Sequence, residues 1–270
     1  VEGDDRRAAA FSGDTAHAYA RHRRDLPADQ ARELAGLLAL EAGDVVVDLG
    51  CGTGQLAVPL RAHSAGVIAG VIAVDPEPAM LAGLRDRGVP GVVCVLGGDG
   101  DLPHLGRVLT GRAGVGAVVV GNALHLMDEP AALRAAADLL RPGGGVGVVT
   151  QGPPLWRGPA PWQQQVRQVL ERHFGPATDT CGSDPAAVER RAGLLAGLGL
   201  DVRVATWHAD HDVDAEWVLG HLASALPAGA LRPGTAGGPA AALAELLARY
   251  RGQRMVEATT TTAVLGRRPT

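Results

Sequence analysis

The chain has 270 residues and 27.6 kDa, with 46% hydrophobic and 20% charged residues, enough for one sizeable packed core and too apolar for wholesale disorder. Net charge is −4 and all 25 basic residues are Arg, set 13 against 18 acids in residues 1–150 and 12 against 11 beyond, so a polynucleotide partner, which needs a cationic footprint, is disfavoured. No apolar run approaches the ~18 residues of a membrane helix, the charged N-terminus shows no leader pattern, and Cys51, Cys94 and Cys181 fit neither a disulfide framework nor a zinc site, so a cytoplasmic protein is expected.

Residues 1–10 read as frayed. Residues 12–40 read as helix broken near Pro27, with Leu26, Leu34, Leu37 and Leu38 at roughly helical spacing. Short β-branched runs then alternate with amphipathic ones. Strands are predicted at Val45–Leu49, Val67–Val74, Val92–Leu96, Val115–Val120 and Val146–Thr150, and helices at 54–63, 77–87, 101–109 and 130–140. That rhythm implies a parallel sheet with helices on both faces. A run such as VGAVVV suits a strand buried on both faces. Beyond a Gly/Pro-rich stretch at 152–161, helices are predicted at 161–173 and at 185–197, the second opened by Asp184 and Pro185. A strand at 201–207, helices near 213–224 and 239–251 around an Ala/Gly/Pro loop at 225–238, and a strand near 255–265 complete the chain. The organisation expected is a helical lid segment at 1–40, a ligand-binding core at 41–151, and the rest of the sheet with helical insertions at 152–270, within one domain.

The sharpest signal is VVVDLGCGTGQLAVPL at residues 45–60. A strand ends in Asp48, a turn carries Gly50, Gly52 and Gly54, and a helix opens at once. Glycines there let a ligand approach the main chain. The dinucleotide fingerprint G-x-G-x-x-G is not met, because Gln55 holds its last position. An acid just before the loop would repel a pyrophosphate but suits a cationic ligand bearing an ammonium and a sulfonium. Asp75 ends the next strand, where a carboxylate can accept from both ribose hydroxyls. Asp99 follows the third strand in LGGDGDLP and can accept from an adenine amine.

In order, DLGCGTG, VDPEPAML, GDGDLP, VVVGNALHLM and LLRPGGGVGVV resemble the motifs of class I S-adenosylmethionine-dependent methyltransferases, in the small-molecule branch that includes the trans-aconitate-like enzymes. YARHRRDLP resembles that branch's N-terminal segment. The likeness covers about residues 11–151. It implies a three-layer Rossmann-like α/β fold with seven strands, the last antiparallel, and a helical cap. It implies S-adenosylmethionine as cofactor and S-adenosylhomocysteine as product. Asp48, Gly50 and Gly52 would border the methionine part, Asp75 the ribose, Pro76, Gly98 and Asp99 the adenine, and Asn122 the sulfonium. Tyr19 with Arg23 or Arg24 would cover the cofactor. The family's spacing before the Leu-Pro pair is one residue longer, which leaves Asp101 as the alternative to Asp99.

His125, after the fourth strand, is the best placed catalytic base, with packing as the alternative role; imidazole's ordinary titration range spans neutrality. Trp156, Trp162 and Trp207 are candidate substrate walls, or else anchors for the last helices. WHADHD at 207–212 reads as a loop after the sixth strand in which His208 could touch substrate; no metal site is assigned. Asn122-Ala123-Leu124-His125 replaces the [DN]-P-P-[YF] of enzymes that methylate base amines. The expectation is methylation of a small organic acceptor, a natural-product intermediate, with oxygen favoured over nitrogen or carbon. The alternatives are a cyclase that keeps the cofactor structurally, a non-catalytic partner subunit and a nicotinamide oxidoreductase. No nucleic-acid or membrane partner is expected, and the chain would act as a monomer or homodimer.

Overall fold

The computed structural model describes residues 13–64, 66–109, 115–176, 181–227, 229–232 and 237–270. The fraying expected at 1–10, and residues 228 and 233–236 of the expected loop at 225–238, lie outside the described residues. In chain order the elements are α1 (Asp14–His22), α2 (Ala28–Leu37), β1 (Val45–Leu49), α3 (Ala57–His63), β2 (Gly70–Asp75), α4 (Pro78–Asp86), β3 (Val92–Leu96), α5 (Leu102–Leu109), β4 (Val115–Gly121), α6 (Glu129–Leu139), β5 (Leu140–Gly152), α7 (Pro161–Phe174), α8 (Pro185–Gly197), β6 (Asp201–Val213), α9 (Ala215–Ala225), α10 (Pro239–Ala248) and β7 (Met255–Arg267). Pro27, which fixes φ and lacks an N–H, separates α1 from α2 as the residue before α2.

Seven strands form one sheet in the order β3-β2-β1-β4-β5-β7-β6. Pairing is parallel from β3 to β5, and the last strands bring the antiparallel closure, so the Rossmann-like methyltransferase architecture expected from the motifs is the one that forms. Among the strands, the boundaries that move most are these. β2 starts at Gly70, because a turn in which the Val67 N–H donates to the Ser64 carbonyl occupies the residues before it. β5 starts at Leu140, which pairs with Val115, so the Pro-Gly-Gly-Gly run lies on the strand and not in a turn ahead of it. β6 continues to Val213, which puts WHADHD on a strand rather than in a loop.

Packing divides the chain into two units. One holds Val1–Arg23, Gln151–Cys181 and His208–Thr260; the other holds Arg24–Thr150, Gly182–Trp207 and Thr261–Thr270. In the second unit successive strand residues face opposite sides, as the period of two requires. Val47, Leu49, Val118 and Val120 enter one core, with Leu133 and Leu195. Val46, Ala117 and Val119 enter the other, with Leu34, Leu38 and Leu60. Helices covering both faces explain why these strands are apolar without alternation in sequence. The first unit has its own core, built on Leu155, Trp162, Val166, Val218, Leu222 and Leu243. Among the described residues no helix is long and apolar enough to cross a membrane.

Candidate functional site

Asp48, Gly50, Gly52, Asp75, Pro76, Gly98, Asp99, Asn122 and His125 gather at the C-terminal ends of β1 to β4, all in the second unit. β1 and β4 are neighbours while β2 lies on the other side of β1. The chain therefore reverses its winding direction there, the place where open α/β sheets bind ligands.

β1 ends at Leu49 and the chain turns through Gly50, whose φ is 69°. A side chain on Gly50 would put its Cβ 2.5 Å from that of Ala123, so the segment after β4 packs directly against the loop. Beneath it lies Asp48, 0% exposed, with neither carboxylate oxygen in a well-formed hydrogen bond. Burial pushes its pKa up to about 7; the Ala57 amide at the start of α3 offsets this in part, and the Asp75 carboxylate adds to it. Burial also pushes the neighbouring Cys51 thiol far up, with the Asp48 charge adding to the shift, so Cys51 is no thiolate nucleophile.

Asp75 holds the loop in shape. Its Oδ2 accepts from the Gly52 N–H at 2.8 Å and its Oδ1 from the Glu77 N–H at 2.9 Å. Burial raises its pKa while these two amides lower it. A carboxylate has about four lone-pair positions, so two remain for a ligand's hydroxyls. Pro76 follows, exposed, before Glu77 caps α4 through the Ala79 N–H.

At the tip of β3 the two candidate acids separate. Asp101 Oδ2 accepts from the Gly98 N–H at 2.9 Å and closes the turn on itself. The Asp99 carboxylate, half-buried on the same turn, takes no part in that closure. A Cβ on Gly98 or Gly100 would meet open space. Leu96, 63% exposed at the strand's last position, adds an apolar surface that the sequence did not single out, because an apolar residue ending a strand reads as core. At the tip of β4, Asn122 adopts φ 50°, a conformation asparagine tolerates better than most residues, and its N–H donates to the Val149 carbonyl at 2.9 Å. His125 is half-buried on the short turn Leu124–Leu126, which buried Leu124 anchors. Just after Arg24, the Leu26 N–H donates to the Gln55 carbonyl at 2.9 Å, and Arg87 bridges Asp25 to the Thr53 carbonyl.

Trp207 and Trp162 pack as anchors, the second of the two roles the sequence allows them. Trp207 donates its indole N–H to Glu33 at 2.8 Å and packs on the core beside Leu34, which anchors β6 to α2. In the first unit Trp162 is 4% exposed within the core, and Trp156 packs on that core half-buried. Also in the first unit, the Arg23 guanidinium lies 5.1 Å over the Tyr19 ring and donates to Ser224. His208 is exposed and meets Thr260 at 3.1 Å, whereas His211 meets Thr259 at 3.1 Å on the opposite face. Strand alternation thus parts the side chains that a loop could have gathered.

Residues 46–144 match the family model described as a methyltransferase domain. An uncharacterized methyltransferase of Mycobacterium bovis is 32% identical over 167 residues, 62% of this chain and 61% of that one, and two Mycobacterium tuberculosis proteins match equally. The chain thus spans about three fifths of the length of these relatives. A solved chain from Anaeromyxobacter dehalogenans, assigned to the type II methyltransferases, superposes with a TM-score of 0.58 at 24% identity, over 92% of this chain and 99% of that one. One from Anabaena variabilis, assigned to an antibiotic biosynthesis pathway, gives 0.57 at 17% identity, over 90% and 98%.

Proposed function

We propose that this chain, whose residues 46–144 match a methyltransferase domain model, is a class I S-adenosylmethionine-dependent methyltransferase that methylates a small organic acceptor, a natural-product intermediate, on oxygen. The observation that carries the reading is the pair Asp48 and Asp75 beside a glycine turn: buried carboxylates to which, among the described residues, no basic side chain is bonded. That chemistry fits a ligand that is cationic at one end and a nucleoside at the other.

When bound, S-adenosylmethionine supplies a methyl group already activated by its sulfonium, leaving S-adenosylhomocysteine. Asp75 uses its remaining lone pairs on the ribose hydroxyls, and Asp99 accepts from the adenine amine beside Pro76 and Gly98. Gly50 and Gly52 give main-chain access to the methionine part, with Asp48 as the negative charge behind them. Asn122 borders the sulfonium. His125 takes the proton that a hydroxyl nucleophile must lose. Otherwise the residues around the crevice need only align the acceptor and exclude water.

Calorimetry should show S-adenosylmethionine binding at micromolar concentration, weakened at least tenfold by Asp75→Ala. A candidate acceptor should then gain the mass of one methyl. Absence of binding removes the reading, and turnover with unchanged acceptor mass replaces methyl transfer with a rearrangement on the same scaffold.

A further inference from the structure

The second unit holds three of its acids in two ways. Asp44, 2% exposed, is held by Arg141 through both oxygens at 2.6 and 2.7 Å. Glu129 is held by the fully buried Arg191 at 2.6 and 3.1 Å. Asp48 is the most deeply buried of the three, and among the described residues neither of its oxygens is in a well-formed hydrogen bond or paired with a basic side chain; the Ala57 amide at the start of α3 is the donor that partly offsets its burial. Its strand partners at that level are Ala73 on β2 and Val119 on β4. The titratable groups facing it are Asp75 at the tip of β2 and the Cys51 thiol in the glycine loop; α3 offers only the Ala57 amide. None of these supplies a positive charge. An unpaired acid in such a place persists when something outside the chain completes it.

We propose that Asp48 is a specificity-determining residue for ligand charge: it loses its proton to solvent as a sulfonium cation enters, and so favours the cofactor over the product, whose sulfur is neutral. The inference rests on the methyltransferase reading. Asp48 acts through space, from behind the loop, and no bond of the ligand changes. Burial and the Asp75 carboxylate keep it protonated up to about pH 7 while the pocket lacks a cation. A positive sulfur nearby reverses that balance, because an opposite charge within several ångströms favours the ionised carboxylate. The α-amino group of either ligand titrates near 8, so well below that pH it is already protonated in solution and adds little proton uptake on binding.

The experiment is titration calorimetry of the intact chain with S-adenosylmethionine and with S-adenosylhomocysteine. It is run between pH 5.5 and 8 in two buffers of different ionisation enthalpy. Below pH 7 the cofactor should release a substantial fraction of a proton per site and the product much less. The affinity ratio of cofactor to product should rise about tenfold from pH 6 to pH 8. Asp48→Asn, checked for folding by circular dichroism, should abolish both effects. His125→Gln should retain them, which separates Asp48 from the imidazole at the same crevice. Binding of both ligands by the wild-type chain with no proton release and a pH-independent ratio overturns the inference alone. Loss of the release in His125→Gln also overturns it. Failure of either ligand to bind at any pH overturns the methyltransferase reading with it.

Discussion

Asp44 and Asp48 bracket β1, and burial acts on them through opposite surroundings. With Arg141 against it, Asp44 ties the start of the strand to β5. With no cation, Asp48 carries a desolvation cost. Its folded pKa of about 7 lies above the ordinary 3.8, so the folded chain holds the proton more tightly than the unfolded one. The cost is absent below the ordinary value and grows to about 4 kcal/mol at most as pH rises through about 7. The ligand-free protein should therefore lose melting temperature from about pH 5 to pH 8, and Asp48→Asn should flatten that loss; scanning calorimetry across the range checks it. Glu129 has the opposite sign. Its burial cost is outweighed by the Arg191 hydrogen bond and charge, then by Arg190, which hold its pKa below the ordinary 4.5. Its contribution is complete above that value and is lost as pH falls below it. His125→Gln should lower kcat for an oxygen acceptor by about a hundredfold or more while leaving the cofactor dissociation constant within about twofold, read by steady-state kinetics beside calorimetry.

The glycine loop is one element whose shape is enforced from three directions. Asp75 fixes Gly52, Ala123 crowds Gly50, and Leu84 on α4 stands 2.4 Å from where a Cβ on Gly54 would lie. Gly50→Ala meets both a left-handed backbone and a contact no Cβ tolerates, so it should cost about 2 kcal/mol or more in urea denaturation and weaken cofactor binding at least tenfold. A second element-scale lock joins α6 to α8. Arg191 reaches Glu129, the Gly182 carbonyl and Thr150 Oγ1 together. Arg191→Met leaves the Glu129 carboxylate without that partner and should cost about 3 kcal/mol or more, by the same denaturation. Trp207→Phe removes the Glu33 bond and part of the ring's packing and should cost about 1–2 kcal/mol, and unchanged turnover separates an anchor from a substrate wall.

Across the whole molecule, strand order concentrates the chemistry. Because β1 and β4 lie side by side at the change of winding, four loops distant in sequence end at one edge of the sheet. That much was legible from the chain. Short continuous β-branched runs, glycines at a strand end and acids closing successive strands are local signals, each set by backbone sterics or by burial of one segment. They gave the sheet, the loop and the candidate acids at their positions. The pairing of charges was not legible. Arg141 finds Asp44 from 97 residues away and Arg191 finds Glu129 from 62, while Asp48 finds no arginine, and nothing in the neighbouring sequence tells these acids apart. The same holds for Asp99 and Asp101, parted only by which of them bends back to Gly98, and for WHADHD, whose six residues form a strand because β6 continues beside β7. Local propensity thus set where each element lies, whereas the electrostatic state of each buried group depends on which distant side chains packing brings within a few ångströms, and that only the tertiary structure decided.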